Sequence, residues 1–387
     1  MHALYTLLLT LLTPILLIRG RLKYGPGQSA PAQRLGMGVP GSQDLWIHAA
    51  SVGEARAIAA LAQTWAHQYR VLVTTTTPTG AEQIRHLAPD CSHAFLPYDL
   101  PWAMRRWHQR IQPKALVLVE TELWPNLVHM ARCPVFLVNG RMSAKSESGY
   151  RRFASLTRPM LIKVQVLAQT AEHAQAFERL GAADVQVMGN LKYDLDALPE
   201  DAVATARKRL GDGPWIVAAS THATEEVAML EAFKDLPARL LLVPRHPQRF
   251  DDVARLIEAQ GLPVVRLSQS DAGDAQVVLG DQMGQLRSWY SQAQVVFVGG
   301  TLIEHGGQNP IEAAEQGCVL VAGPSRFNFT QVFEHLGAGA LVDVGHASLK
   351  AGVQQALALD GQLNRQIVRQ HQGASARIAQ AIEPVLT

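Results

Sequence analysis

The feature that most constrains this chain is an alternation that runs along it twice. Short apolar runs rich in Val, Leu and Ala occupy 45–49, 71–75, 115–119, 135–138 and 164–168, with helix-like stretches at 54–66, 79–86, 101–109, 124–130 and 171–180 between them. A four- or five-residue apolar run without polar alternation is a strand buried on both faces. Strand, helix and strand in regular order make βαβ units and a parallel sheet covered on both sides. The pattern pauses over 190–213, a polar segment around a short helical run, and restarts with apolar runs at 215–219, 240–243, 277–279, 295–298, 319–322 and 340–344. Two α/β domains follow, as a length of 387 residues also suggests. The expected boundaries are an anchor over 1–22, a first domain over 23–195, a linker over 196–210, a second domain over 211–370, and an amphipathic terminal helix within 371–387 that crosses back to the first domain.

The first residues differ in kind. Residues 3–18 carry no acid or base, and Arg19, Arg21 and Lys23 follow at once. The segment lacks the basic start and small-residue cleavage site of a secretory signal. It is a little short for a transmembrane helix and contains Pro14. An anchor that spans marginally or lies in the interface fits better, with the basic cluster holding the following domain on the cytoplasmic side; a helix packed on the protein or a partner is the plainer alternative. The net charge of +2 disfavours a dedicated nucleic-acid binder. Cys91, Cys133 and Cys318 match no zinc or redox spacing and are expected as buried free thiols in a reducing compartment.

Ligands of open α/β sheets bind beyond the carboxyl ends of strands, near helix N-termini, and the unusual residues of this chain gather there. His48-Ala49-Ala50-Ser51-Val52-Gly53-Glu54 ends the first strand. Ser51 and Glu54 have the spacing of a capping box, while a carboxylate on a helix start beside a permissive Gly53 also suits a general base. Glu120-Thr121-Glu122-Leu123-Trp124-Pro125-Asn126 follows the 115–119 strand. One of its acids is expected to cap the next helix, with Pro125 in the first turn, and the other to hold substrate or raise the pKa of Glu54. Lys192 stands at the domain boundary, either as a solvated lysine or as a partner for a phosphate or carboxylate. In the second domain, Ser220-Thr221-His222, Pro244-Arg245-His246-Pro247, Gly280-Asp281-Gln282-Met283-Gly284-Gln285 and Gly299-Gly300-Thr301 all follow strands. The last leads into Gly306-Gly307-Gln308-Asn309-Pro310-Ile311-Glu312. An arginine at a strand end suits a phosphate, and glycine-rich turns expose backbone N–H groups to one. Four such turns in one domain describe a nucleotide site, with Glu312 placed to accept from ribose hydroxyls.

The strings 46–54, 120–126, 244–247 and 306–312, in this order and with Gln33-Arg34-Leu35-Gly36 before them, resemble the family 30 Kdo (3-deoxy-manno-octulosonic acid) transferases of lipopolysaccharide inner-core synthesis. The resemblance covers essentially the whole chain. It implies a GT-B fold, two Rossmann-like domains facing a cleft, with an N-terminal anchor helix at the inner membrane and catalytic domains on its cytoplasmic face. It implies CMP-Kdo as donor, a lipid A precursor (lipid IVA) as acceptor, inversion at the anomeric carbon, and neither metal nor cofactor. Glu54 matches the family's general base, and Glu122 and Lys192 match residues that stabilise the transition state, with Glu120 as the alternative to Glu122. The CMP contacts would be Pro244, Arg245, Met283, Gly284, Gln285, Asn309, Pro310, Ile311 and Glu312, with Ser220 and Gly300 lining the same site. The chain departs from the family at Gln285, commonly Glu, and at Gln308, commonly His. The rival readings are a GT-B transferase using a UDP- or GDP-sugar and a non-catalytic two-domain sugar-binding protein.

Overall fold

The computed structural model describes residues 1–38 and 40–387. It divides into two units, Met1–Asp194 with Gln372–Thr387, and Leu195–His371. Unit 1 runs α1 (His2–Gln28), α2 (Pro31–Arg34), β1 (Leu45–His48), α3 (Val52–Ala66), β2 (Val71–Thr75), α4 (Pro78–Leu87), β3 (Ser92–Phe95), α5 (Pro101–Ile111), β4 (Ala115–Val119), α6 (Pro125–Met130), β5 (Val135–Gly140), α7 (Ala144–Arg152), α8 (Ala154–Leu161), β6 (Val164–Ala168), α9 (Ala171–Leu180) and β7 (Asp184–Val187). Its strands form one parallel sheet in the order β3-β2-β1-β4-β5-β6-β7.

Strand periodicity builds the two cores of this unit. Leu45, Ile47, Val71, Val73, Ala115, Val117 and Val119 point to one face, with Ile58 and Trp65 of α3. Trp46, Leu72, Leu116 and Leu118 point to the other, with Met104 and Trp107 of α5. Because successive side chains alternate between faces, an unbroken apolar run is what a strand covered on both sides requires. The short strands β3 and β7 lie at the sheet edges, where one side is solvated, and their sequences Ser-His-Ala-Phe and Asp-Val-Gln-Val are correspondingly mixed. That is why the expected apolar runs omit them.

Unit 2 runs α10 (Glu200–Leu210), β8 (Trp215–Thr221), α11 (Ala223–Phe233), β9 (Arg239–Pro244), α12 (Phe250–Ala259), β10 (Val265–Arg266), β11 (Val277–Leu279), α13 (Leu286–Tyr290), β12 (Ala293–Val298), α14 (Ile311–Glu315), β13 (Val319–Ala322), α15 (Thr330–Leu336), β14 (Leu341–Asp343), α16 (Leu349–Leu357) and α17 (Gln362–His371). Its parallel sheet has the order β10-β11-β9-β8-β12-β13-β14. Both units are therefore doubly wound, Rossmann-like sheets. The 196–210 segment contains α10, whose Ala206 and Leu210 are buried, so it is a helix of unit 2 rather than a bare linker. After α17 comes α18 (Ala374–Ile382), and its Ala374, Ile378 and Ile382 sit in the core of unit 1 beside β1 and β4. Asp194 fixes the start of that helix by accepting from the backbone N–H groups of Gly373 (2.6 Å) and Ser375. The three cysteines are free thiols; Cys318 is buried, whereas Cys91 and Cys133 are only half-buried.

Helix α1 inverts the usual pattern of a surface helix. Tyr5, Thr6, Leu9, Thr13, Leu16, Leu17 and Gly20 are among its less exposed positions. Leu4, Leu7, Leu8, Leu11, Leu12, Ile15, Ile18 and Leu22 are 48% to 83% exposed. Tyr5 donates to Asp99 (2.9 Å), and Thr6 lies 3.3–3.4 Å from the Asn126 side chain. The helix thus turns several polar and small residues, with a few leucines, toward unit 1 and presents most of its aliphatic side chains outward. By length and composition His2–Gly25 is able to cross a membrane.

Candidate active site

The strand order of unit 1 reverses between β1 and β4, and such a switch point opens a crevice at the strands' carboxyl ends. Both acidic clusters stand there. Ser51 caps α3, its Oγ accepting from the Glu54 N–H at 3.3 Å. Glu54 reaches back farther than a standard capping box. Its Oε2 accepts from the Ala50 N–H at 2.7 Å, and its Oε1 accepts from the Ser51 hydroxyl at 2.7 Å. The cap and the buried acid are the same residue, so the two sequence readings of Glu54 do not compete. Only 8% of Glu54 is exposed. Burial raises its pKa, and the neighbouring carboxylates of Glu122 and Glu120 add to the rise against the lowering by its hydrogen bonds. Gly53 leaves the helix start open: a Cβ there would meet only Ser51 Oγ, at 3.9 Å.

The two acids after β4 separate. Glu120 adopts a left-handed backbone (φ 58°), uncommon outside glycine and concentrated at functional positions. Its carboxylate lies 3.7 Å from Lys192 Nζ. Glu122 accepts from the Trp124 indole N–H at 2.9 Å and lies 3.8 Å from His48 Nε2. Neither acid caps α6, contrary to the sequence expectation. That role falls to Asp99, from the loop after β3, which accepts from the N–H groups of Asn126 (2.8 Å) and Leu127 (2.7 Å) as well as from Tyr5. Burial pushes the Asp99 pKa up to about 6 despite these donors. Asp99 therefore holds the Glu122–Asn126 loop and α1 together. Nothing in its own sequence neighbourhood marks it.

His48 gains a role that sequence reading passed over. Its Nδ1 lies 3.1 Å from both Thr74 O and Thr74 Oγ1. Thr74 Oγ1 gives its own hydrogen to Ile47 O, so both oxygens face the ring as acceptors and Nδ1 carries the proton. In the neutral ring Nε2 is then an acceptor, fully buried and without a hydrogen-bond partner among the described residues, beside Glu122. The pair presents two acceptors to any hydroxyl that enters. Arg34, from the Gln-Arg-Leu-Gly string, is structural by contrast: it is buried, donates to Leu96 O (2.9 Å) and Thr76 O (2.5 Å), and so closes the rim beyond β2 and β3.

In unit 2 the order reverses between β8 and β12. Ser220, at the end of β8, is again a left-handed non-glycine residue (φ 53°). Gly299 follows β12 so closely that a Cβ would sit 2.3 Å from Ser220 O. The buried Glu225 holds this turn by accepting from the N–H groups of His222 (3.1 Å), Gly300 (2.8 Å), Thr301 (3.1 Å) and Leu302 (3.1 Å). Arg245 leaves β9 with its backbone N–H bonded to Thr221 O at 3.0 Å, and its guanidinium makes no ion pair among the described residues. His222 packs at a tilt against His305 (4.4 Å between ring centres) and edge-on to His246 (5.8 Å). Burial first, then these two rings, push its pKa down to about 4, leaving it neutral.

Ser220, Pro244, Arg245, Met283, Gly284, Gln285 and Gly300 thus follow the adjacent strands β8, β9, β11 and β12 and form one rim. Met283 is 59% exposed, and Gly284 (φ 78°) has open space around its α-carbon. Asn309 instead accepts from the Ile311 N–H at 3.1 Å, and Pro310 and Ile311 are buried. Glu312 is half-buried on α14.

Two doubly wound units, one with a buried acid at its switch point and the other with glycine turns and Arg245 at its own, have the fold of the GT-B glycosyltransferases. Residues 20–195 match the model of the 3-deoxy-D-manno-octulosonic-acid transferase (kdotransferase) family, and residues 265–373 match that of group 1 glycosyl transferases. A 3-deoxy-D-manno-octulosonic acid transferase of Haemophilus influenzae is 36% identical over 319 residues, 77% of this chain and 74% of that one. One of Bordetella pertussis is 36% identical over 358 residues, 84% and 83% of the two chains. The chain belongs to the Kdo transferase family. Among solved structures, a glycosyltransferase from Rickettsia africae aligns with a TM-score of 0.59 at 12% identity, over 89% of this chain and 99% of that one. A UDP-GlcNAc 2-epimerase from Neisseria meningitidis aligns at 0.57 and 13%, over 89% and 99%. These two show the fold alone, and a fold that also carries an epimerase leaves the chemistry to the site.

Proposed function

We propose that the protein transfers Kdo from CMP-Kdo to a hydroxyl of a lipid A precursor, with inversion, at the cytoplasmic face of the inner membrane in lipopolysaccharide synthesis. The observation that carries this is Glu54: a carboxylate buried at the switch point of unit 1, made more basic by burial and by Glu122. Glu54 takes the proton of the acceptor hydroxyl. The freed oxygen attacks the anomeric carbon of Kdo as the bond from that carbon to the phosphate oxygen breaks, and CMP leaves with the electron pair. A base whose pKa lies nearer the working pH than an ordinary carboxylate is better matched to this task.

The leaving phosphate needs positive charge as its bond breaks. Arg245 supplies it in the rim of unit 2, which Ser220 and Gly300 line, with Met283, Gly284, Gln285, Asn309, Pro310, Ile311 and Glu312 holding the nucleotide. Lys192, steadied by Glu120 at 3.7 Å, and Glu122 stabilise the transition state. With the positive field supplied by Arg245 and Lys192, the reaction needs no metal, and EDTA should leave its rate unchanged. Helix α1 anchors the enzyme: eight aliphatic side chains facing outward are explained by a bilayer that covers them. Arg19, Arg21 and Lys23 follow its uncharged stretch 3–18, where anionic headgroups attract them.

The test is transfer from CMP-Kdo, generated in the assay, to a tetraacyl lipid A precursor, read by mass spectrometry. A product carrying one or more added Kdo residues is expected. No product, with a control transferase active in the same mixture, would reject this donor–acceptor pair and point to UDP- or GDP-sugars.

A further inference from the structure

Between α1 and the α6–α8 layer lies an apolar groove of about 620 Å³. Leu4 and Leu8 of α1 form one wall, and Leu123, Phe153, Leu156 and Met160 the other. Its volume is that of a small-molecule site, roughly 300–1,000 Å³. The polar side chains that touch it spend their hydrogen bonds elsewhere. Tyr5 donates to Asp99 (2.9 Å), Tyr150 to Thr121 O (3.1 Å) and Thr157 to Tyr150 O (3.1 Å). Such a space offers water few partners and suits an apolar occupant.

We propose that this groove takes one acyl chain of the glycolipid acceptor. The proposal rests on the reading of that acceptor as an acylated lipid. Three observations select this occupant. The rim residues Leu4, Leu8 and Phe153 are each about half exposed and continue the outward apolar face of α1, so the groove opens where that helix meets its lipid. The inner wall includes Trp124, whose indole N–H donates to Glu122. Trp124 and Glu122 also line a neighbouring pocket of mixed polar and apolar residues, which contains Ala50, the residue whose N–H donates to Glu54. Arg19 and Lys23 line that same pocket, so cations stand on the side where an anionic headgroup would lie. One tryptophan thus separates a space for a hydrocarbon tail from a space for the sugar that reacts. A bulk phospholipid would fill the groove equally well but has no sugar hydroxyl to present beyond Trp124. Tyr5–Asp99 and Thr6–Asn126 keep α1 seated as the groove's roof.

Gly149 lines the groove, and a Cβ there meets nothing within 4 Å, so Gly149→Trp fills the space without disturbing the core. The full-length enzyme in vesicles is given the tetraacyl precursor and, separately, an acyl-free disaccharide acceptor. The variant is expected to raise KM for the acylated acceptor by about tenfold or more while turnover of the acyl-free one stays within about twofold. Equal losses on both acceptors, or none, would overturn the proposal. Occupancy is read independently of turnover with a diazirine on one acyl chain of the precursor or, in a second arm, of phosphatidylethanolamine. Crosslinks from the precursor to residues 4–8 or 156–160, lost in the variant, are expected. Crosslinks elsewhere, or in the groove from phosphatidylethanolamine only, would refute the assignment. If the wild-type enzyme transfers no Kdo at all, the proposed function fails by itself, while the crosslinks still decide whether the groove holds the glycolipid.

Discussion

Replacing Glu54 with Gln separates chemistry from structure because the two side chains have the same shape. In the native protein the carboxylate accepts from Ala50 N–H and Ser51 O–H, each at 2.7 Å. Gln keeps an oxygen for Ala50, and its amide nitrogen then faces Ser51 Oγ as a donor. Exchanging two charge-assisted hydrogen bonds for neutral ones costs about 1 kcal/mol each. Removing a buried charge that Glu122 and Glu120 already disfavour offsets much of that cost. The net change in stability should stay within about 1 kcal/mol, a shift of roughly 2–4 °C in Tm for a domain of this size. Losing a general base instead costs about 10²- to 10⁴-fold in rate, roughly 3–5 kcal/mol on the barrier. The assay is kcat/KM for Kdo transfer, with a thermal melt and CMP titration on the same preparation, and both of the latter should be near wild type. The pH profile adds a second reading. Glu54 acts as base only when ionised, so the rate rises with pH through its pKa. Since burial and Glu122 raise that pKa, the acid limb of the wild-type profile sits above the ordinary glutamate range, and the variant loses it. A variant within about fivefold of wild type, with the limb intact, would remove Glu54 from the mechanism.

Glu122→Gln removes a carboxylate that raises the Glu54 pKa, so the acid limb of the rate profile should move to lower pH; an unmoved limb would break the electrostatic coupling of the two acids. Arg245→Ala should weaken CMP binding by about 10- to 100-fold in calorimetry while leaving the melt unchanged, as expected for one lost charge-assisted contact to a phosphate. Unaltered affinity would place the phosphate elsewhere. Gly299→Ala sets a methyl 2.3 Å from Ser220 O and should cost unit 2 roughly 3 kcal/mol or more, seen as a lower melting midpoint together with loss of CMP binding. A midpoint like the wild type's would mean that the β8 and β12 ends can move apart.

Much of this protein is written locally. The apolar runs at 45–49 and 115–119 demand two-sided burial, and only a sheet sandwiched between helices provides it. Ser51 and Glu54, three residues apart, make the cap that the structure contains. The glycine-rich turns of unit 2 follow strands, so their arrival on one rim follows from parallel order. What local pattern could not supply are contacts between segments distant in the chain. Asp99, and neither Glu120 nor Glu122, caps α6, because the β3 loop and the start of α6 meet only once β1 and β2 lie between β3 and β4. The edge strands β3 and β7 escape a hydrophobic reading because one side of each is solvated. The direction in which α1 turns its leucines is likewise invisible in a segment that is apolar nearly all round.

The sequence by itself determined the two doubly wound sheets, the residues at their carboxyl ends and the acid that starts α3, since each depends on periodicity or on spacings of a few residues. Tertiary structure alone decided which acid meets which partner: Glu120 with Lys192, Glu122 with Trp124 and His48, and Asp99 with α1 and α6. The physical reason is range. Helix and strand preferences act over one turn or one pleat, whereas the pairing and pKa of a buried carboxylate depend on groups that come within a few ångströms of it only when the sheet has closed.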